Sequence, residues 1–264
     1  MYYGYRVDLE TFDTKDLINK FFEIGNNSFI QNKAKIETNI QRYSNDKGVL
    51  DAAKIEEDWF PHIDTDIFIS HSSADTKCAI AFAGLLKNYF GLNAFVDSCL
   101  WAHSDKLLKI IDDTYSKHTD PTMYSYEKRN NSTSHVHTIL SMALAKMISN
   151  THCFMFIGSE NSVHIKDLEN SIQTLSPWIY LELQLSKMLK REKEYDTDTN
   201  FDSSQKQASA GVFMTHKVDF SHLTLLTAND INTWSEKNKT DFLFDKFQPG
   251  RRKHPLQILF GFKR

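Results

Sequence analysis

The stretch "TLSPWIYLELQLSKML", residues 174–189, carries a carboxylate, Glu182, one helical turn beyond an indole, Trp178. Written onto a helix, it sets Trp178, Leu181, Leu185, Met188 and Leu189 on one side, with Glu182 on the edge of that side. A residue four positions on lies on the same helix face. A lone carboxylate in a mostly dry pocket can steady a developing cation, and a neighbouring indole can stack on a flat ring. The bland reading is that Glu182 snorkels or pairs with a lysine while Trp178 is core. "ISHSSAD" holds Ser, His and Asp, but hydrolase triads assemble in space rather than along consecutive residues, and no Gly-x-Ser-x-Gly elbow is present. His135 and His137 lack a third metal ligand at a suitable spacing. Neither a Gly-x-Gly-x-x-Gly nor a P-loop pattern occurs, which argues against hydride transfer and ATP hydrolysis.

The elements that must hold these residues alternate. "DIFIS" (66–70), "LNAFVD" ending at Asp97 and "HCFMFIG" (152–158) read as strands buried on both faces. "TKCAIAFAGLLKNYFG" reads as a helix with Gly91 at its C′ position, and Ser72, Ser73 and Asp75 before it are all N-cap types. "HTILSMALAKMISN" is a further helix, Ser176-Pro177 a helix start, and "NDINTWSEKN" the beginning of another. "VFMTHKV" and "HLTLL" suit short strands. This order predicts an α/β fold, a flavodoxin-like parallel sheet with helices on both faces. The expected organisation is a helical N-terminal extension over 1–60, a main domain over 61–247 and a tail over 248–264. Polar inserts fall at about 102–134 and 190–211, the second read as a mobile loop.

Ligand sites in such sheets lie at the carboxyl ends of the strands. That selects Ser70 to Asp75, Asp97 to Trp101, and the start of the helix carrying Trp178 and Glu182. His71 and Ser72 line this edge, with helix capping the alternative for Ser72. Asp97 either orients a ligand hydroxyl or ties down its loop, and Trp101 is a lid aromatic or a packing anchor.

The chain of 264 residues has a net charge of −3, so its balance does not point to nucleic acid or an anionic membrane. Three scattered cysteines, Cys78, Cys99 and Cys153, fit a reducing compartment, and no apolar run reaches a span or a signal core. The expectation is a cytoplasmic protein with no nucleic-acid or membrane partner.

Four motifs in order, "DIFISH", "AFVD", "CFMFIGSENS" and "SPWIYLEL", resemble those of Toll/interleukin-1 receptor (TIR) domains over about 60–192, with a weaker tail to about 247. The helical lead-in and "WFPHIDTDIFISHSSAD" look most like bacterial TIR proteins of anti-phage systems, including the Thoeris type. The position after "FIS", aromatic in many relatives, is His71, and the next two, often basic, are Ser72 and Ser73. The resemblance implies an NAD+ glycohydrolase or cyclase that breaks the nicotinamide–ribose bond and releases ADP-ribose or a cyclic isomer as a signal to a separate effector. It implies Glu182 as the catalytic residue, self-association through TIR surfaces, and NAD+ as substrate with no further cofactor. The leaving group is already a pyridinium, so one carboxylate to stabilise the oxocarbenium-like sugar is chemically sufficient. Trp178, His71, Ser72, Asp97 and Trp101 are the expected substrate contacts. The competing expectations are a non-catalytic TIR adaptor acting by TIR–TIR assembly, and a nucleoside or nucleotide transferase on the same frame.

Overall fold

The computed structural model describes residues 3–33, 40–45, 49–60, 63–117, 123–166, 171–190 and 215–263. In chain order the elements are β1 (Tyr3–Asp8), α1 (Thr14–Lys33), α2 (Ala52–Trp59), β2 (Ile67–Ser70), α3 (Thr76–Phe90), β3 (Ala94–Val96), α4 (Ser98–Ile111), α5 (Tyr126–Asn150), β4 (Cys153–Gly158), β5 (His164–Lys166), β6 (Ser171–Thr174), α6 (Pro177–Lys190), β7 (His216–Lys217), β8 (Thr224–Leu226), α7 (Ala228–Phe247) and α8 (Pro255–Phe262). Five strands form one sheet in the order β3-β2-β4-β1-β8, all pairings parallel. β5, β6 and β7 make a small antiparallel sheet beside it. The α/β class and the parallel sheet covered on both faces are as the sequence predicts.

Strand alternation assigns the two faces. Ile67 and Ile69, Ala94 and Val96, and Cys153, Met155 and Ile157 turn to one side, where they pack with residues of α1, α3, α7 and α8. Phe68, Phe95, Phe154 and Phe156 turn to the other, against α2, α4, α5 and α6. Burial of successive residues on opposite faces is why these strands read as continuous apolar runs. On the second face the Phe68 and Phe154 rings stack with centroids 6.0 Å apart, and Phe95 lies 5.8 Å from Phe68. Phe68 and Phe95 are the platform beneath the site described below.

Three expectations are corrected. The first sixty residues are not only a helical lead-in: Tyr3–Asp8 is a strand between β4 and β8, inside the sheet. The described residues of the 102–134 stretch, 102–117 and 123–134, are mostly helical and continue the second layer, where a polar insert was expected. α4 occupies its first part to Ile111, followed by a π-helical turn at Asp112–Ser116 and, from Tyr126, the start of α5. The 248–264 tail contains α8, whose Leu256 and Leu259 are core residues. Of the 190–211 insert, all but Lys190 lies outside the described residues.

Local signals behave as their chemistry dictates. Gly91 ends α3 with φ +71, the left-handed conformation that favours glycine, and its N–H bonds the Lys87 carbonyl. Ser176 precedes Pro177 at the start of α6, and its hydroxyl accepts from the Ile179 N–H at 3.2 Å. Thr227 and Asp230 close a reciprocal capping box at the start of α7. α1 and α3 cross at close range through Gly25 and Gly84. A Cβ on Gly25 would lie 1.9 Å from the Ile80 carbonyl oxygen, and one on Gly84 2.1 Å from that of Phe21.

Candidate active site

Ser70 closes β2 on the same side as Phe68, and Asp97 follows β3 with the parity of Phe95. Both therefore face the helices of the second layer. α6 lies in that layer and offers them a buried stripe: Ile179, Glu182, Leu183 and Ser186 are 3%, 0%, 1% and 0% exposed. Spacings of three, one and three put these four on one helix face. Leu181, Leu185 and Leu189 are only partly buried, and Met188 is 52% exposed. Glu182 is thus at the centre of the buried face, not on the edge of a leucine stripe as the sequence suggests.

At this position Glu182 Oε2 accepts a hydrogen bond from Ser70 Oγ at 2.5 Å. Its other oxygen, Oε1, is buried and meets no donor. The Asp97 carboxylate lies beside it, within hydrogen-bonding reach if a proton stands between the two groups. Among the described residues, Glu182 forms no ion pair with Lys or Arg. Burial pushes its carboxyl well above the ordinary range, the neighbouring Asp97 charge adds to the shift, and the Ser70 hydrogen bond opposes it in part. The two acids lie side by side, and burial together with the neighbouring charge favours the protonated form of Glu182.

Asp97 is anchored from its other side. His71 Nδ1 pairs with Asp97 Oδ1, and the His71 backbone N–H donates to Oδ2 at 3.3 Å. His71 Nε2 lies 3.2 Å from Thr76 Oγ1, whose hydroxyl donates to the Ser73 carbonyl. The result is a continuous polar chain, Thr76–His71–Asp97–Glu182–Ser70, across the carboxyl ends of β2 and β3. Next to it, Asp75 accepts from Ser159 Oγ and from Asn161 Nδ2 at 2.8 Å. This ties the loop after β2 to the loop after β4.

Of the residues the sequence selects, Glu182, Asp97 and His71 converge. Ser72 stands at the start of the 3₁₀ turn Ser73–Asp75, half-buried and without a side-chain cap bond. Trp178 is half-buried one turn before Glu182, and its ring meets His137 of α5 edge-on with centroids 5.2 Å apart. Trp101 lies on α4, and its side chain is outside the described residues. Ser70 and Asp75, the two ends of the stretch the sequence selects after β2, belong to the constellation, and Ser159 and Asn161 complete it without having been singled out. All four lie in the short motifs at strand ends, where a hydroxyl or amide is also an ordinary turn residue. No group of three potential metal-ligating side chains occurs among the described residues.

Glu182 has no exposed surface. Among the described residues, cavities of about 200 to 540 Å³ open elsewhere on the surface, away from Glu182, Ser70, His71 and Asp97. One of about 540 Å³ lies at the opposite end of the sheet, bounded by Tyr3, His152, His254 and Phe260. The acid pair is therefore sealed in this conformation. No family model, curated protein or solved structure matches the chain.

Proposed function

We propose that the chain is an NAD+ glycohydrolase or cyclase of the TIR kind, acting in the cytoplasm in bacterial antiviral defence, with Glu182 as the catalytic carboxylate in a closed resting state. The observation that carries this reading is Glu182 itself: an acid with no basic partner among the described residues, fully buried at the sheet edge where α/β folds bind ligands. A buried carboxylate placed only for packing is costly, and apolar residues would fill the position more stably.

In this reading the closed state stores Glu182 protonated against Asp97. Opening admits water and the cationic nicotinamide ring, both of which favour the ionised acid. The carboxylate then faces the ribose as the C–N bond breaks. Neutral nicotinamide leaves with the bonding electrons, and the anomeric carbon is captured by water or by an internal nucleophile of the nucleotide. His71 pairs with Asp97 and limits the repulsion that a second anion would exert on Glu182. Purified protein incubated with NAD+ should release nicotinamide, and Glu182→Ala should abolish it. Release undiminished in Glu182→Ala refutes the mechanism.

The sealed acid pair favours a second reading, a non-catalytic TIR adaptor whose polar core fixes the loops after β2, β3 and β4 for assembly. Phage protection in cells carrying Glu182→Gln separates the two. The enzyme requires the carboxylate and loses protection, whereas the adaptor keeps its hydrogen bonds and its protection.

A further inference from the structure

α7 is buried only in its first half. Ile231, Trp234, Ser235 and Asn238 pack inward, but from Lys239 to His254 no residue is buried. At 1.5 Å per residue the last nine residues of the helix span about 13 Å with none of them buried, and the chain returns through "QPGRRKH" to α8. This arm carries an unusual surface. Phe242, Leu243, Phe244 and Phe247 are 42%, 54%, 67% and 83% exposed. Monomeric surfaces tolerate single exposed apolar side chains, but four large ones on a projecting helix end mark a contact site.

Its charge is equally biased. Residues 239–254 contain Lys239, Lys246, Arg251, Arg252 and Lys253 against Asp241 and Asp245, a local excess of three positive charges in a chain whose net charge is −3. The two acids are turned inward. Asp245 Oδ1 accepts the backbone N–H groups of Gly250, Arg251 and Arg252 at 3.0, 3.2 and 3.1 Å, and Asp241 Oδ2 accepts that of Lys253 at 2.9 Å. The return loop is thereby fixed, with Gly250 at φ +88, and the arginines are held beside the aromatics. Lys246 and Arg252 lie 5.1 and 4.9 Å from the Phe242 ring centroid.

We propose that this arm is a peripheral docking element for an anionic lipid surface. Apolar side chains that protrude, rather than line a groove, suit the headgroup–acyl boundary, and the adjacent cations suit anionic headgroups. The expectation of no membrane partner rested on overall charge and the lack of a spanning segment. Indeed, among the described residues no helix is long and apolar enough to cross a membrane. Docking of this kind needs neither a spanning helix nor a basic chain.

The test is co-sedimentation of the full chain with vesicles of phosphatidylcholine alone, or with about one-third phosphatidylserine. Binding to the mixed vesicles should be about tenfold or more tighter than to phosphatidylcholine, and should weaken with added salt. The double variant Phe244→Ser/Phe247→Ser should bind at least about tenfold more weakly. Arg251→Glu/Arg252→Glu should lose the preference for phosphatidylserine. All four residues are exposed, and an unchanged melting temperature verifies that the variants are folded. No binding by the wild type at low salt overturns the proposal, as does binding that neither double variant alters. A concentration-dependent dimer that Phe247→Ser dissolves, with no vesicle binding, would give the arm to a second copy of the chain and likewise overturn it.

Discussion

Replacing Glu182 with Gln should make the folded protein more stable, by an amount that grows with pH. In the fold the carboxyl is held well above its ordinary value of 4.5, by burial first and by Asp97 second. The unfolded chain releases the proton near that ordinary value. The native state therefore binds more protons than the unfolded state once the pH passes about 4.5, and stability falls as pH rises until the native group ionises. The glutamate's contribution is fully present in acid and lost towards alkaline pH, the reverse of a salt-bridged carboxylate. Each pH unit in that window is worth about 1.4 kcal/mol. At about pH 7.5 the accumulated loss has a ceiling of about 4 kcal/mol, and at about pH 5 it is under about 1 kcal/mol. Glutamine does not titrate, keeps an oxygen to accept from Ser70, and offers Asp97 an N–H. The variant thus loses little besides the ionisation. Urea unfolding of wild type and variant at several pH values between about 5 and 8 reads the difference directly through the midpoints. A stability difference independent of pH, or a variant that becomes relatively less stable in alkali, would refute the protonated acid pair.

Two further changes probe what surrounds that pair. Asp97→Asn removes the second cause of the raised Glu182 value, so in this background the pH-dependent gain from Glu182→Gln should shrink by at least about 0.5 kcal/mol, measured as a double-mutant cycle that cancels the cost to His71. Gly84→Ala places a methyl group 2.1 Å from the Phe21 carbonyl oxygen, a backbone atom that cannot swing aside. Separating α1 from α3 should cost at least about 2 kcal/mol and lower the melting temperature by about 4 °C or more in a scanning calorimeter.

Where side-chain pattern and burial agreed, the fold was legible in the sequence. β2, β3 and β4 are unbroken apolar runs because both their faces are covered, and Ser176-Pro177 and Gly91 mark helix ends by local chemistry alone. The errors came where a polar residue is satisfied inside a regular element. In α5, Ser132, Ser134, Thr138 and Ser141 each donate to the carbonyl four residues earlier. Ser132 and Ser134 fall in the stretch that reads as a polar insert, yet they belong to the same helix as Thr138 and Ser141, because these hydroxyls find partners on the helix itself. The buried stripe of α6 was misplaced for a related reason. Two of its four members are Glu182 and Ser186, so the apolar period pointed to the leucines on the neighbouring face. What periodicity cannot supply is the partner across space. Ser70 and Asp97 turn Glu182 inward, and they are 112 and 85 positions away in the chain.

The least legible element, β1, also bears on the site. β1 separates β4 from β8, so without the first eight residues β4 would lose its partner on that side and β8 would be detached from the sheet. α1 follows within a few residues and packs on α3 through Gly25 and Gly84. α3 begins directly after the loop that carries His71 and Asp75. The N-terminal region is thus a structural part of the frame that holds the acid pair, on the opposite face of the sheet from α6. A movement that uncovers Glu182 must separate α6 or α4 from the strand ends. The β2 side, with His71 held by Asp97 and Thr76 and Asp75 held by Ser159 and Asn161, is braced from below. Ser70 is the last residue of β2, a strand paired on both sides, and from there it orients one oxygen of the acid across to α6.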